Sequence, residues 1–363
     1  MKKLLMSLVC LFALVALVAC GQTNEEQKPE NPDNGGTTTP TGTEYKLGMG
    51  IVVEHDLAKV QYSATVATVV TDKDGKIVAC RLDVAQNTMG LSEGVATEPT
   101  DLRSKMEKGA DYGMANNPHS SDNNGDGEIL EWDAQAKLFE EYVVGLTGPQ
   151  VAALETKEVS AHNISKDEDL LKAGCTIDIV AFQEAISKAC ADEFAVSFTT
   201  DKEFTLGVAA ESFVEGSGDY EDEENLAFVS VYADFAASVV VDGKIAASLN
   251  DAIQPTFKGD LEDNITFEFK KTKRELKEGY GMATTYQPYL DNDGDGEILE
   301  WYKQSELFSK FVVGLTGTQV AELATEVKND HNVTTDETLL NAGCTIEITA
   351  IKAVVAESVT NAR

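Results

Sequence analysis

The sequence predicts an α+β fold built twice: two tandem homologous domains, each a small antiparallel sheet covered by helices. Three observations predict it. The first is internal identity: Glu128-Ile129-Leu130-Glu131-Trp132 returns 169 positions later as Glu297-Ile298-Leu299-Glu300-Trp301. At nearly the same offset, Val143-Val144-Gly145-Leu146-Thr147-Gly148 returns from Val312 to Gly317, and Leu170 to Ile177 returns as Leu339 to Ile346. A period this long marks duplicated domains, because solenoid units repeat every 20–50 residues or so. The second is a hairpin in each copy. Val66 to Val70 and Lys76 to Val84 flank Asp72-Lys73-Asp74-Gly75, and Phe235 to Val241 and Lys244 to Leu249 flank Asp242-Gly243; β-branched runs around an Asp/Gly reversal read as paired strands. The third is helical spacing of apolar residues after each tryptophan.

The first element of the chain lies outside those domains. Met1-Lys2-Lys3 precede an apolar run from Leu4 to Ala19, broken only by Ser7, and Cys20 follows. A positive start, an apolar centre and a small residue at the processing point make residues 1–19 an export signal. Leu17-Val18-Ala19-Cys20 resembles the lipobox of bacterial lipoproteins. The resemblance implies that Cys20 becomes a diacylated N-terminus on the extracytoplasmic face of the cell membrane, where two acyl chains anchor stably. Residues 20–44 are polar and rich in Asn, Glu, Pro, Gly and Thr, a composition that stays solvated as a tether. The repeat domains then occupy residues 45–195 and 196–363.

Within each repeat the elements follow in the same order. Leu138, Tyr142 and Val143 share a helical face after Trp132, as Leu307, Phe311 and Val312 do after Trp301. Gly145 and Gly314 suit the ends of those helices. Thr147-Gly148-Pro149-Gln150 and Thr316-Gly317-Thr318-Gln319 have the capping-box form and predict a second helix. Ser165-Lys166-Asp167-Glu168 and Thr334-Thr335-Asp336-Glu337 predict a third. A strand from Cys175 to Val180 then leads to a helix near Phe182 to Cys190.

The formal net charge is −33, and more negative by two once Lys2 and Lys3 leave with the signal. Such a surface repels nucleic acid and anionic lipid and attracts multivalent cations. Cys80, Cys175, Cys190 and Cys344 remain after Cys10 and Cys20 are accounted for. They lack metal-type spacing and read as small core residues, with a disulfide inside the first repeat left open. His162-Asn163 and His331-Asn332 read as capping or surface residues. Trp132, Trp301, Tyr112 and Tyr280 are expected to wall the core near an acidic loop. No Ser/His/Asp or Cys/His set recurs in both copies, so no catalytic residue is assigned and the chain reads as non-enzymatic.

The acidic loops carry the clearest chemistry. Asp122-Asn123-Asn124-Gly125-Asp126-Gly127-Glu128 and Asp291-Asn292-Asp293-Gly294-Asp295-Gly296-Glu297 place oxygens at positions 1, 3 and 5, glycine at 6, and a backbone carbonyl at 7. Ca²⁺ takes six to eight or so such oxygens on a chain that turns sharply at position 6. The loops resemble those of EF-hands and dockerins, with Leu130 or Leu299 at position 9 and Asp133 or Tyr302 at position 12. Glu131 and Glu300, at position 10, are the shared acids able to close each site. The metal-ligand set is therefore Asp122, Asn124, Asp126, Glu128, Glu131 and Asp133 in the first repeat, and Asp291, Asp293, Asp295, Glu297 and Glu300 in the second.

Lys172-Ala173-Gly174-Cys175-Thr176 and Asn341-Ala342-Gly343-Cys344-Thr345 resemble a degenerate form of the motif of FMN-binding domains in bacterial surface lipoproteins. That resemblance implies FMN at Gly174, Thr176, Gly343 and Thr345, the last residue of the motif being the one that can carry flavin through a phosphodiester. Ala173 and Ala342 replace its Ser/Thr, Cys175 and Cys344 its Ala, and Leu170 and Leu339 its Asp. The runs from Thr272 to Met282, Trp301 to Gln304 and Phe311 to Gly314 are similar to duplicated lipoproteins of anaerobic Gram-positive bacteria related to those domains. Two expectations follow: a calcium-stabilised surface binding module with an unknown partner, or a flavin-bearing electron carrier with an extracellular redox partner.

Overall fold

In a computed structural model, the described residues are 42–92, 95–116, 128–219, 227–259, 265–269, 271–285, 298–328 and 330–363. The export signal, Cys20 and the tether up to residue 41 lie outside them; Thr43 and Glu44, expected in the tether, instead open the first strand, where they pair with Thr200 and Thr199. The first repeat begins with three long strands, β1 (Thr43–Asp56), β2 (Gln61–Thr71) and β3 (Ile77–Thr88), and a hairpin of β4 (Gly90–Ser92) and β5 (Val95–Thr97). Next come α1 (Lys105–Lys108), α2 (Trp132–Tyr142) and α3 (Gly148–Ala152), the hairpin β6 (Thr156–Val159) and β7 (His162–Ser165), then α4 (Glu168–Lys172), α5 (Val180–Cys190) and β8 (Val196–Thr200). Residues 196–200, expected in the second repeat, join the first because β8 pairs with β1. The second repeat has β9 (Thr205–Asp219), β10 (Ala227–Val241), β11 (Lys244–Ile253), β12 (Thr256–Gly259) and β13 (Ile265–Glu268). It continues with α6 (Lys273–Leu276), α7 (Met282–Thr285), α8 (Trp301–Phe311), α9 (Gly317–Ala321), β14 (Thr325–Lys328), β15 (His331–Thr334), α10 (Glu337–Asn341) and α11 (Thr349–Thr360).

The first sheet runs β3-β2-β1-β8, antiparallel throughout. In the second, β10 carries β9 along one edge, and β11 and β12 along the other, with β13 outside β12. The fold is α+β, with antiparallel sheets covered by helices, and both repeats fall in one compact unit.

The strands are apolar on both faces, and that decides the layering. Met49, Ile51, Tyr62 and Val66 of the first sheet meet Val208, Phe235 and Leu249 of the second in one cluster, so the sheets pack on each other. The outer face of the first sheet, with Val69 and Leu82, packs under Phe139 of α2 and Phe182 and Ile186 of α5. On the second sheet, Ala236 and Ile245 pack under Phe308 of α8 and Ile351 and Val354 of α11. Each fully buried Phe or Ile contributes about 1.5–3 kcal/mol. One buried ion pair also joins the repeats: the Arg274 guanidinium reaches both carboxylate oxygens of Asp192 at 3.0 Å.

The sheet-covering helices lie directly on the first strand of each sheet. A Cβ on Gly48 would stand 2.0 Å from the Ala189 carbonyl oxygen of α5, and one on Gly207 1.7 Å from that of Ser358 in α11. Only glycine lets strand and helix backbones meet at that distance.

Several predicted elements shift. No strand forms from Cys175 to Val180: Cys175 N–H turns back to the Leu170 carbonyl, and two further amides go to side chains. Thr176 N–H donates to Gln135 Oε1 at 2.7 Å, and Val180 N–H donates to Asp178 Oδ1 at 2.9 Å, opening α5 at Val180. The third helix is capped by Asp167 and Asp336 rather than Ser165 and Thr334; Asp167 Oδ1 accepts from Asp169 and Leu170 N–H. The buried face of α2 is Trp132, Ala136, Phe139 and Val143, with Leu138 and Tyr142 flanking it. Both capping boxes at Thr147 and Thr316 form. Among the described residues no helix is long and apolar enough to cross a membrane.

Gly207→Ala is expected to destabilise the protein by about 1–3 kcal/mol or more through overpacking, read as a lowered urea midpoint. Gly279→Ala, where a Cβ meets nothing within 4 Å, is the control and should shift the midpoint little.

Candidate ligand-binding cavity of the second repeat

Asp122, Asn124 and Asp126, and Asp291, Asp293, Asp295 and Glu297, lie outside the described residues, while Glu128, Glu131, Asp133 and Glu300 lie within them. Glu131 and Glu300 close the necks of the acidic loops. Glu131 accepts from Met114 N–H at 2.8 Å and Ala115 N–H at 3.1 Å; Glu300 accepts from Met282 N–H at 2.9 Å and Ala283 N–H at 3.1 Å. Two amides per carboxylate tie the chain entering each loop to the start of the helix leaving it. Asp133 stands half-buried in the first turn of α2.

The Gly-Cys-Thr segments follow the ends of α4 and α10. Gly174 and Gly343 adopt φ of +102° and +94°, and a Cβ there would lie 2.8 Å from Leu130 or Leu299. The positive φ calls for glycine, and the leucine tip would have to move to admit a Cβ. Cys175 and Cys344 are buried, and burial pushes each thiol up to about 12. All four described cysteines are free. Thr345 N–H and Ile346 N–H donate to Gln304 Oε1 at 2.7 and 2.9 Å, matching Thr176 on Gln135.

Thr345 and Gln304 line a cavity of about 630 Å³ between the outer face of the second sheet and the helices above it. Its walls carry Phe213, Tyr232, Tyr280 and Trp301, with Lys273, His331 and four carboxylates, Glu211, Glu215, Asp234 and Glu347. Lys273 is placed by a cap. Thr272 and Glu275 form a capping box on α6, and Asp251 Oδ1 accepts from Arg274 N–H at 3.0 Å. The ammonium then sits 4.4, 4.6 and 5.3 Å from the ring centroids of Tyr232, Tyr280 and Trp301. Desolvated cation–π contacts of this kind are worth ~2 kcal/mol.

The first repeat builds the same cap and clamp. Ser104 and Glu107 form the box, Asp83 accepts from Met106 N–H, and Lys105 lies 5.0 and 5.4 Å from Tyr112 and Trp132. The repeats differ on the sheet. Ile77 and Ile245 exchange backbone hydrogen bonds with Gly145-Leu146 and Gly314-Leu315 respectively. They lie opposite Thr71 and Val240. That anchor sets Asp234 where the first repeat has Thr65, and Tyr232 where it has Ser63. Glu211 faces Asp234 across the strands, as Val52 faces Thr65. An apolar–hydroxyl pair has become two opposed acids.

Asp234 is 2% exposed, and its Oδ2 has no hydrogen-bond partner among the described residues. Burial raises its pKa, offset in part by Lys273 and reinforced by Glu211. Burial raises Glu211 to about 7 and depresses Lys273. His331 faces Glu347 at 3.5 Å across the cavity rim, in strand β15 rather than beside a helix cap. Sequence reading placed the two Trp–Tyr pairs near the loops and missed Glu211 and Asp234. The available signal was acids set within otherwise apolar strand segments, Asp234 alone in β10 and Glu211 after the apolar start of β9.

Asp83, Glu211 and Asp251 hold their protons to about 7, 7 and 6, each raised chiefly by burial. In the unfolded chain such groups release them near pH 4. The folded state therefore binds more protons across this window, and stability falls as pH rises through it. The urea midpoint is expected to drop between pH 5 and pH 7.5 or so; a flat or rising midpoint would contradict the burial of these acids.

No protein-family model and no curated relative matches the chain. Among solved structures, a Bacteroides fragilis protein described as exported and YmcC-like in fold aligns with 64% of this chain and 95% of its own. At 8% identity and a TM-score of 0.12, that likeness assigns no fold.

Proposed function

We propose that this chain is an exported, lipid-anchored module of the extracytoplasmic face that binds a small molecule in the second-repeat cavity, with the acidic loops holding Ca²⁺ as structural ions. The cavity carries the reading: it has the size of a ligand site, and its aromatic walls are joined by convergent polar and charged groups. Anchoring through Cys20 is supported by Leu17-Val18-Ala19-Cys20. The strongly acidic composition argues against nucleic acid as a partner.

Calcium is supported by the oxygen spacing at Asp122, Asn124 and Asp126 and at Asp291, Asp293 and Asp295. The Glu131 and Glu300 clamps add to it, because a loop tied at its neck loses less entropy when it closes on an ion. Flavin has one observation in its favour, Thr345 on the cavity wall. The four carboxylates on the same walls oppose the phosphate of FMN, so flavin carriage ranks second.

The test of the cavity uses protein purified from its native envelope. Heat release and mass spectrometry should recover one small molecule per chain. Ala353→Phe, which fills the cavity from α11, should carry none while keeping its circular dichroism. Equal recovery from both proteins would place the ligand elsewhere. For the loops, calcium at a hundredfold excess over Kd adds about 2.7 kcal/mol, so the melting temperature should rise by several degrees and fall again with chelator. Asp126→Ala with Asp295→Ala should remove that response. Identical melting in calcium and chelator would make the loops ordinary turns.

A further inference from the structure

We infer that the second-repeat cavity selects an organic cation, a protonated amine or quaternary ammonium on an apolar body, held between the opposed carboxylates of Glu211 and Asp234. The inference deepens the cavity reading and rests on it.

Three observations point the same way. Asp234 is buried on the cavity wall with Oδ2 lacking a donor among the described residues, so the wall offers an acceptor that none of them satisfies. A buried polar atom in that state destabilises the fold, more so when charged, and a ligand donor would relieve it. Glu211 lies directly opposite on the neighbouring strand and makes no hydrogen bond or ion pair with a described residue, so two acceptors flank one point. The internal cation serves them only at a distance: Lys273 partly offsets the charge of Asp234 through space, but it is held by three aromatic rings and makes no ion pair among the described residues.

The other two acids are engaged. Glu215 accepts from Gln254 Nε2 at 2.6 Å and Ser230 Oγ at 2.9 Å, and Glu347 meets His331 and Asn332. The vacant acceptors are therefore confined to the pair that the first repeat replaces by Val52 and Thr65. A metal ion is the poorer occupant. No described group of three or more His, Cys, Asp or Glu converges as a metal site, and Phe213 stacked on Tyr232 at 4.9 Å offers apolar faces that a bare ion does not use. A cationic head on an apolar body uses both the acids and the rings.

The experiment is calorimetric titration of the full mature protein, in chelator, with ethylamine, 2-phenylethylamine and phenyltrimethylammonium, and with the alcohols and carboxylates of the two amine skeletons. At least one ammonium probe should bind tenfold or more tightly than its neutral and anionic counterparts. Asp234→Asn and Glu211→Gln, both close in shape to the parent residues, should each weaken it tenfold or more. Thr65→Val in the first repeat should leave it unchanged. An alcohol or carboxylate that binds as well as the ammonium overturns the charge selection and leaves the cavity reading standing, as does undiminished ammonium binding by both variants. Binding by none of the probes, together with no ligand recovered from native protein, overturns both.

Discussion

Each sheet is apolar on both faces, and neither face can be left to water. That constraint sets the layers. The inner faces satisfy it by meeting, with Ile51, Tyr62 and Val66 against Val208, Phe235 and Leu249. The outer faces need helices, and α5 and α11 supply them closely enough that Gly48 and Gly207 accept helix carbonyls where a side chain would begin. Two domains with solvated inner faces would each expose a broad apolar patch. The duplication therefore reads as one four-layered unit in which each repeat completes the core of the other. The Arg274–Asp192 pair is one of several polar contacts along the seam, with Arg363 on Glu140 and Lys277 on Glu193, and one guanidinium nitrogen reaching both carboxylate oxygens adds orientation to an otherwise non-directional contact.

Within that frame the repeats keep one polar device and change another. The kept device begins with a buried acid, Asp83 or Asp251, that caps a short helix. The cap sets a lysine, Lys105 or Lys273, against the aromatic rings that begin with Trp132 or Trp301. The tryptophan opens the helix whose preceding glutamate ties the loop neck. Loop, clamp and core are thus one connected assembly, which explains why these residues recur together in the sequence. The changed device is the pair on the sheet opposite the lysine.

Much of this was legible in the sequence. The repeated segments from Glu128 to Trp132 and Glu297 to Trp301, the hairpins around Gly75 and Gly243, and the boxes at Thr147 and Thr316 act through local chemistry, and local chemistry can be read from spacing. The strand expected from Cys175 to Val180 failed because the Leu170 carbonyl, Asp178 and the distant Gln135 take amides that a neighbouring strand would have used. Strands β1 and β9 escaped notice because a strand buried on both faces has no alternation to read. Nor does spacing show that the two sheets face each other; Val66 and Phe235 carry no mark of which surface they bury. The Gly-Cys-Thr signature is accounted for by a left-handed helix end, a buried thiol and an amide held by Gln304. Cofactor chemistry is not needed to explain its recurrence.

The site itself is legible only by comparing the repeats in register. Asp234 looks like one charge in an apolar run until β2 and β10 are aligned and Thr65 falls on the same point. The first repeat demonstrates that this scaffold folds with Val52 and Thr65 there, so the acids are not a requirement of the architecture. Burying two opposed carboxylates costs stability through desolvation and repulsion; burial and then Glu211 raise the proton affinity of Asp234, while Glu211 is raised chiefly by its own burial. Sequences that break a local rule without structural return do so most often where function needs the break. The acids occur in the repeat whose cavity is walled by Phe213, Tyr232 and Trp301, and a cation entering there would relieve the same repulsion that the fold tolerates without it.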